Sequence, residues 1–271
     1  MSLKASLIIS TYNWPSALEK VLVALNNQTY DNFEVLVVDD GSKSETKELV
    51  KKLTQEASYD MRYFWQDDKG FRLSKARNMG IENALGNYLI FIDGDCIPRP
   101  SFIKNHIALA EAGYFVCGNR ILLSESFSNH FLNSNNDIST WGLGKWLFHR
   151  CKGSINRWHS LLSFAGYQSK LRKKNADKWQ KARGCNLAFW KQDLVNANGF
   201  EERFVGWGYE DSDMLIRLLN AGIKRKSGKF SVPVLHIWHK EASREEESQN
   251  LQLLENIKKS KRMKAEQGLY S

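Results

Sequence analysis

Asp93-Gly94-Asp95 is the sharpest short chemical feature of the chain: two carboxylates a glycine apart, directly after the apolar run at 88–92. Oxygen ligands in that arrangement suit a hard divalent cation, Mg²⁺ or Mn²⁺, of the kind that bridges to substrate phosphates. An Asp-Gly pair is also an ordinary solvated turn, and its place at the end of a buried strand is what favours the cation. Trp207-Gly208-Tyr209-Glu210-Asp211-Ser212-Asp213 is a second acidic cluster, at the start of a helix marked by Met214, Leu215, Leu218 and Leu219. Carboxylates in a first helical turn complement the helix dipole. Three of them exceed that need, and the glycines flanking Trp207 permit close backbone approach to a ligand. His236 and His239 are two of the chain's six histidines within four residues. A lone histidine is usually structural; a pair near a cation site points to at least one ligand.

These groups need elements to hold them. Apolar runs at 6–10, 34–38 and 88–92 read as strands, 62–65 and 114–123 are strand-like, and a further strand is expected at 231–238. Helices are expected after Asn13-Trp14-Pro15, where Leu18, Val21, Leu22 and Leu25 repeat at helical spacing. Others are expected around Leu49–Leu53, over 73–84, over 101–112 and from Glu210 to Asn220, capped by Gly222. Apolar strands alternating with helices predict an α/β chain with a mostly parallel, Rossmann-like central sheet flanked by helices. In such sheets ligands bind beyond the carboxyl ends of the strands. Asp39-Asp40 and Asp93-Asp95 both end strands, so both clusters fall on one edge. No GxGxxG or GxxxxGK[ST] loop follows any strand, so this is not a dinucleotide site of the familiar kind.

Residues 124–180 break the alternation, with Trp141, Trp146, Trp158 and Trp179 among basic residues that include Lys170, Arg172, Lys173 and Lys174. Helices are expected there without assigned limits. The ordered pattern resumes at Arg183, and the tail after Glu241 reads as a charged helix with Leu251, Leu253, Leu254 and Ile257 on its apolar side. The divisions are therefore 1–120, the half with the strand-end carboxylates; 121–182, a helical, basic, Trp-rich insert; 183–240, the half with the second acidic cluster and the histidine pair; and 241–271, a helical tail.

The formal charge of +9 at pH 7 calls for a polyanionic neighbour: nucleic acid, an anionic membrane surface or a phosphate-bearing substrate. No apolar run approaches the roughly 20 residues that span a bilayer, and the start opens straight into a strand, so no signal peptide is expected. Four cysteines without a CxxC pair read as reduced thiols. A cytoplasmic protein is expected, with the basic insert available for peripheral contact at the inner face of the membrane.

The sequence resembles the inverting glycosyltransferase family 2, on the GT-A fold. Ile8-Ile9-Ser10-Thr11-Tyr12-Asn13, Val37-Val38-Asp39-Asp40-Gly41-Ser42, Gln66-Asp67-Asp68-Lys69-Gly70-Phe71-Arg72, Ala76-Arg77-Asn78 and Asp93-Gly94-Asp95 carry the resemblance, in the family's order. Gly199-Phe200 through Asp213 is similar to a region shared with galactosyltransferases and chondroitin-type polymerases. The insert and the tail match nothing in the pattern. The resemblance implies transfer of a sugar from a nucleoside diphosphate, UDP-hexose or UDP-N-acetylhexosamine favoured, to a saccharide hydroxyl in bacterial surface polysaccharide or lipopolysaccharide synthesis.

It also implies roles. Thr11, Tyr12, Asn13, Asp39, Asp40 and Asp68 would line the nucleoside pocket, Arg72 and Arg77 would approach phosphate, and Asp93 with Gly94 would reach the nucleotide. Asp95 would bind Mn²⁺ or Mg²⁺ with His236, or with His239 in its place. Asp211 would be the base, with Glu210 binding a hydroxyl or exchanging roles with it; Trp207 and Gly208 would meet the acceptor sugar. Asn78 is expected to fix local structure. Two other classes compete. A nucleotidyltransferase would carry a glycine-rich basic loop in place of Thr11-Tyr12-Asn13-Trp14-Pro15. A non-catalytic saccharide- or nucleic-acid-binding protein would explain the charge and the nine tryptophans, but would not need Asp93, Asp95, Asp211 and His236 together.

Overall fold

Pairing register sets the carboxyl ends of the apolar strands level with one another. The computed structural model describes residues 3–162, 166–180, 182, 184–240 and 243–270. In it β1 (Ala5–Thr11) runs parallel to both β2 (Phe33–Asp39) and β4 (Tyr88–Asp93). Thr11 stands opposite Asp39 and Ser10 opposite Asp93, so the two acidic strand ends flank the end of β1. β3 (Asp60–Trp65) extends the sheet beyond β2. On the other side β8 (Asn186–Trp190) inserts antiparallel between β4 and β6 (Tyr114–Cys117), and β9 (Lys224–Ser227) closes the edge.

Alternating side chains face two helical layers. Leu7, Ile9, Val35, Val37, Ile90 and Ile92 pack against α1 (Pro15–Leu25), α2 (Ser44–Glu56) and α4 (Phe102–Leu109). Ile8, Leu36, Val38, Leu89 and Phe91 face α3 (Leu73–Asn83), α7 (Lys191–Asn196) and α8 (Glu210–Asn220).

Several expectations are corrected. The run at 114–123 is two strands in different sheets: β6, and β7 (Asn119–Leu122) beyond a break at Gly118. β7 joins β5 (Cys96–Pro98) and β10 (Pro233–His236) in a small sheet ordered β5-β10-β7, in which His236 pairs with Cys96. The strand expected at 231–238 is confined to β10. The insert holds α5 (Glu125–Leu132), α6 (Leu143–Cys151) and two 3₁₀ turns, Trp158–Leu161 and Lys170–Lys173. Arg183 lies outside the described residues. Two of the basic residues expected to face an anionic surface are tied to the protein instead. Arg172 is buried and donates to the carbonyls of Gly166, Ser227 and Lys229, because those turns leave acceptors pointing inward. Lys173 pairs with Glu111 at 2.5 Å. Among the described residues, no helix is long and apolar enough to cross a membrane.

The tail is anchored by charge. In α9 (Glu247–Ser260) only Leu254 and Ile257 of the expected apolar side are buried, and Leu251 is 42% exposed. Beyond it Arg262 reaches Glu201 at 2.9 Å, next to the buried Asp213–Arg217 pair at 2.7 Å. Arg217 also donates to the carbonyls of Ala197 and Gly199. Removing one partner of such a pair leaves a buried charge uncompensated. Arg217→Ala is expected to lower unfolding stability by about 3–5 kcal/mol in urea titration; a loss under about 1 kcal/mol would mean that the pair contributes little.

Candidate active site

One side of the site is built around Asp39 and Asp40. Asp39 is fully buried, accepting from the Ser42 amide at 2.7 Å and the Tyr63 hydroxyl at 2.6 Å. Asp40 accepts from the Gln66 amide at 2.5 Å and the Arg72 backbone at 2.6 Å. Burial still pushes the Asp40 carboxyl up, against those donors. Gly41, at φ +97°, lets the next loop pass close by: a Cβ there would lie 2.5 Å from Asp68 Cα. Tyr12 donates to Asp68 at 3.0 Å, both exposed at the mouth. Thr11 is buried below them.

Three of the groups expected at the nucleotide have partners within the protein. Asp39 has both oxygens occupied, because it closes the turn after β2. Asn13 accepts from the Lys43 amide at 2.9 Å, joining the loops that follow β1 and β2. Arg77 is expected beside phosphate, but its side chain is 2% exposed and bridges Asp93 at 3.3 Å and Glu210 at 3.4 Å. Two carboxylates in reach fix a guanidinium more strongly than an open cleft does. Arg72 retains a half-exposed side chain, directed to the Asp67 carbonyl.

Arg77 thus joins the two acidic clusters. Glu210 and Asp211 open α8, after Gly206, Gly208 and Tyr209, all with positive φ. Tyr209, at φ +73°, is a non-glycine residue in a left-handed conformation, a strain that the surroundings must hold in place. Asp211 accepts from the Gly184 amide at 2.8 Å and the Ser212 amide at 2.6 Å. Burial, then the neighbouring Asp211, raises Glu210 to about 7, against the pull of Arg77. Burial likewise raises Asp93. Trp207 stands 38% exposed at the rim, with Arg244 over its ring at 4.6 Å.

One residue beyond Gly94, Asp95 meets both histidines: His236 Nε2 at 3.7 Å and His239 Nε2 at 3.2 Å. The β-pairing of His236 with Cys96 brings them together. Burial acts to raise Asp95, but the His239 hydrogen bond and the two imidazoles outweigh it and hold the carboxyl low. The same hydrogen bond lifts His239 to about 9, while burial lowers His236. Ligand atoms of Asp95, Cys96 and His236 lie within 4.8 Å of one another. A carboxylate and imidazoles fit a divalent transition ion, and Mn²⁺ accepts nitrogen more readily than Mg²⁺ does.

A family model for glycosyl transferase family 2 matches residues 6–185. The chain belongs to that family. A second model, the N-terminal domain of galactosyltransferase, matches residues 168–240. The first takes in the whole of the insert at 121–182, and the second its last residues from 168. This glycosyl transferase family 2 chain is 30% identical over 234 residues to a hyaluronan synthase of Pasteurella multocida, covering 80% of this chain and 23% of that protein. It is 27% identical over 238 residues to a chondroitin synthase of Escherichia coli, covering 80% and 32%. It spans at most a third of the length of these two relatives. Among solved structures, S. aureus TarS 1–349 in complex with UDP superposes with a TM-score of 0.61 at 16% identity, over 96% of this chain and 68% of that one. A Pyrobaculum calidifontis mannosyltransferase in complex with GDP-Man and Mn²⁺ gives 0.59 at 17% identity, over 89% and 59%. The fold is GT-A.

Sequence reasoning missed the residues that position the site. Tyr63 and Gln66 fix Asp39 and Asp40, and the signal was their alignment at the end of β3. Cys96 and Cys185 lie against Asp93; adjacency to Asp95 was the only sign for Cys96. The raised Glu210 has a measurable consequence. Between about pH 4.5 and about 7 the folded chain holds a proton that the unfolded chain has released, so stability falls as pH rises through that window. Urea unfolding across it should show a shallower fall for Glu210→Gln than for the unaltered chain; equal slopes would contradict the shift.

Proposed function

We propose that this glycosyl transferase family 2 chain is an inverting, cation-dependent transferase that moves a hexose or N-acetylhexosamine from a UDP-sugar to a saccharide hydroxyl in bacterial surface polysaccharide or lipopolysaccharide synthesis. The observation that carries the reading is the Arg77 bridge between Asp93 and Glu210. It ties the strand-end carboxylates, with the Asp95–His236–His239 group beside them, to the Glu210–Asp211 pair. Transfer with inversion requires leaving-group and acceptor chemistry on opposite faces of one sugar. Relatives that make hyaluronan and chondroitin, and fold neighbours in complex with UDP, UDP-GlcNAc and GDP-Man, support this donor and acceptor class.

Asp95 and His236, with His239 as the alternative, would hold the ion, which when bound neutralises charge building on the departing diphosphate. Tyr12, Asp40 and Asp68 would meet the nucleoside, with Thr11 beneath. Asp211 takes the proton from the acceptor hydroxyl as that oxygen attacks the anomeric carbon and the sugar–phosphate bond breaks. The Gly184 and Ser212 amides hold the carboxylate in place for that step. Glu210, protonated over part of the neutral range, donates to a sugar hydroxyl. Trp207 offers an apolar face to the acceptor ring.

Asp211→Asn should lower kcat by about 10²- to 10⁴-fold and leave UDP affinity nearly intact, with an unchanged melting profile as the control. Asp95→Ala should weaken both turnover and Mn²⁺-dependent UDP binding. Near-normal turnover of Asp211→Asn in a sugar-nucleotide transfer assay removes the base assignment. UDP binding indifferent to Mn²⁺ favours a non-catalytic binding protein.

A further inference from the structure

Eight of the 39 Lys and Arg residues, and none of the 30 Asp and Glu residues, fall in the stretch 138–176. Nearly all of the formal +9 therefore resides there. Part of that charge is tied to the protein through Arg172 and Lys173; Lys145, Arg150, Lys152 and Arg157 are exposed. The first three lie on or just after α6, and that helix has a face which no described element covers. Trp146 is fully buried and His149 half-buried, packed with Trp141 and Phe127. At about 100° per residue, Gly144, Leu147, Phe148 and Cys151 fan out opposite that pair. Leu147 is 45% and Phe148 54% exposed, and Leu143 beside them is 41% exposed. Arg150 borders one edge of this face, and Lys145 and Lys152 the other; Lys152 lies over the Phe148 ring at 4.4 Å.

An apolar strip edged by cations is the pattern of a helix that lies in the headgroup layer of an anionic bilayer, side chains inserted and basic groups at the phosphates. A polyanionic glycan would use the cations and could stack on Phe148, but has no use for the exposed aliphatic Leu143 and Leu147 beside it. We propose that α6 docks the chain onto an anionic lipid surface. The chain leaving α6 pairs back onto β7, through Leu123 with Ile155 and through the Leu122 carbonyl with the Asn156 amide at 3.2 Å. β7 lies beside β10, which ends at His236. Docking through this face brings the lipid surface to the strand ends that carry the candidate cation site, and so to any lipid-linked acceptor.

The inference goes beyond the transfer reading and does not need it, since lipid binding requires neither donor nor ion. The full chain is sedimented with vesicles of phosphatidylcholine alone and with about one third phosphatidylglycerol. Binding is expected to the anionic vesicles only and to weaken with added salt. Leu147→Ser/Phe148→Ser should weaken it at least about tenfold, and Arg150→Gln/Lys152→Gln by about tenfold. Transfer to a soluble acceptor should be unchanged in both. No binding to anionic vesicles overturns the proposal. So does binding that neither double variant alters. Retention of the Leu147→Ser/Phe148→Ser variant at full strength, with displacement by heparin, overturns it in favour of a polyanionic glycan.

Discussion

A guanidinium withdrawn from water at a sheet edge governs the arrangement of this protein. Arg77 has a side chain only 2% exposed and packs over Phe200 at 5.3 Å. An unpaired charge there costs several kcal/mol, and the fold delivers two acidic side chains to it. Asp93 comes from the end of β4 and Glu210 from the start of α8, more than a hundred residues later. The next residue, Asn78, completes the junction. It donates to the Phe200 carbonyl at 2.9 Å and accepts from the Phe200 amide at 2.7 Å. One turn of α3 therefore holds the two halves of the chain in register.

The cation group depends on a different device. His236 and Asp95 are far apart in sequence, and a three-stranded sheet of short strands brings them together by pairing His236 with Cys96. The Leu123 amide then donates to the His236 carbonyl at 3.0 Å, fixing the strand end on its other side. His239 extends past the strand, edge-on to Trp14 at 5.8 Å. The hydrogen bond between His239 and Asp95 lifts the imidazole and holds the carboxyl low.

Much of this was legible in the residues. Leu7, Ile8 and Ile9 face alternate layers, as an apolar run covered on both sides must, and α8 begins at Glu210 as the cluster of carboxylates suggested. Asp39-Asp40 and the DxD pair could be grouped because their strand ends share an edge, whereas His236 arrives from the other sheet. What could not be read was where charges go once tertiary partners exist. An arginine suited to phosphate is indistinguishable in sequence from one suited to two carboxylates, so the Arg77 contacts to Asp93 and Glu210 are not readable in advance. Arg172 was assigned to the surface for the same reason. The split of 114–123 into two sheets was hidden because the stretch reads as strand on both sides of Gly118, and pairing partners, not composition, decide where a strand belongs. Asn78 looked local because its partner lies 122 residues away.

The fold thus places two adjacent carboxylates, Glu210 and Asp211, at a helix start and a carboxylate–imidazole group at a strand end, with Arg77 linking Glu210 to Asp93 beside that group. The claim that matters is that a single ion touches the imidazole and the diphosphate together. Pulsed electron paramagnetic resonance of Mn²⁺ added to the chain with UDP reads this directly. The account predicts nitrogen coupling from a histidine and phosphorus coupling from the nucleotide in the same Mn²⁺ spectrum, the nitrogen signal disappearing in one of His236→Ala and His239→Ala. Phosphorus coupling without nitrogen coupling, or no change in either variant, would contradict it.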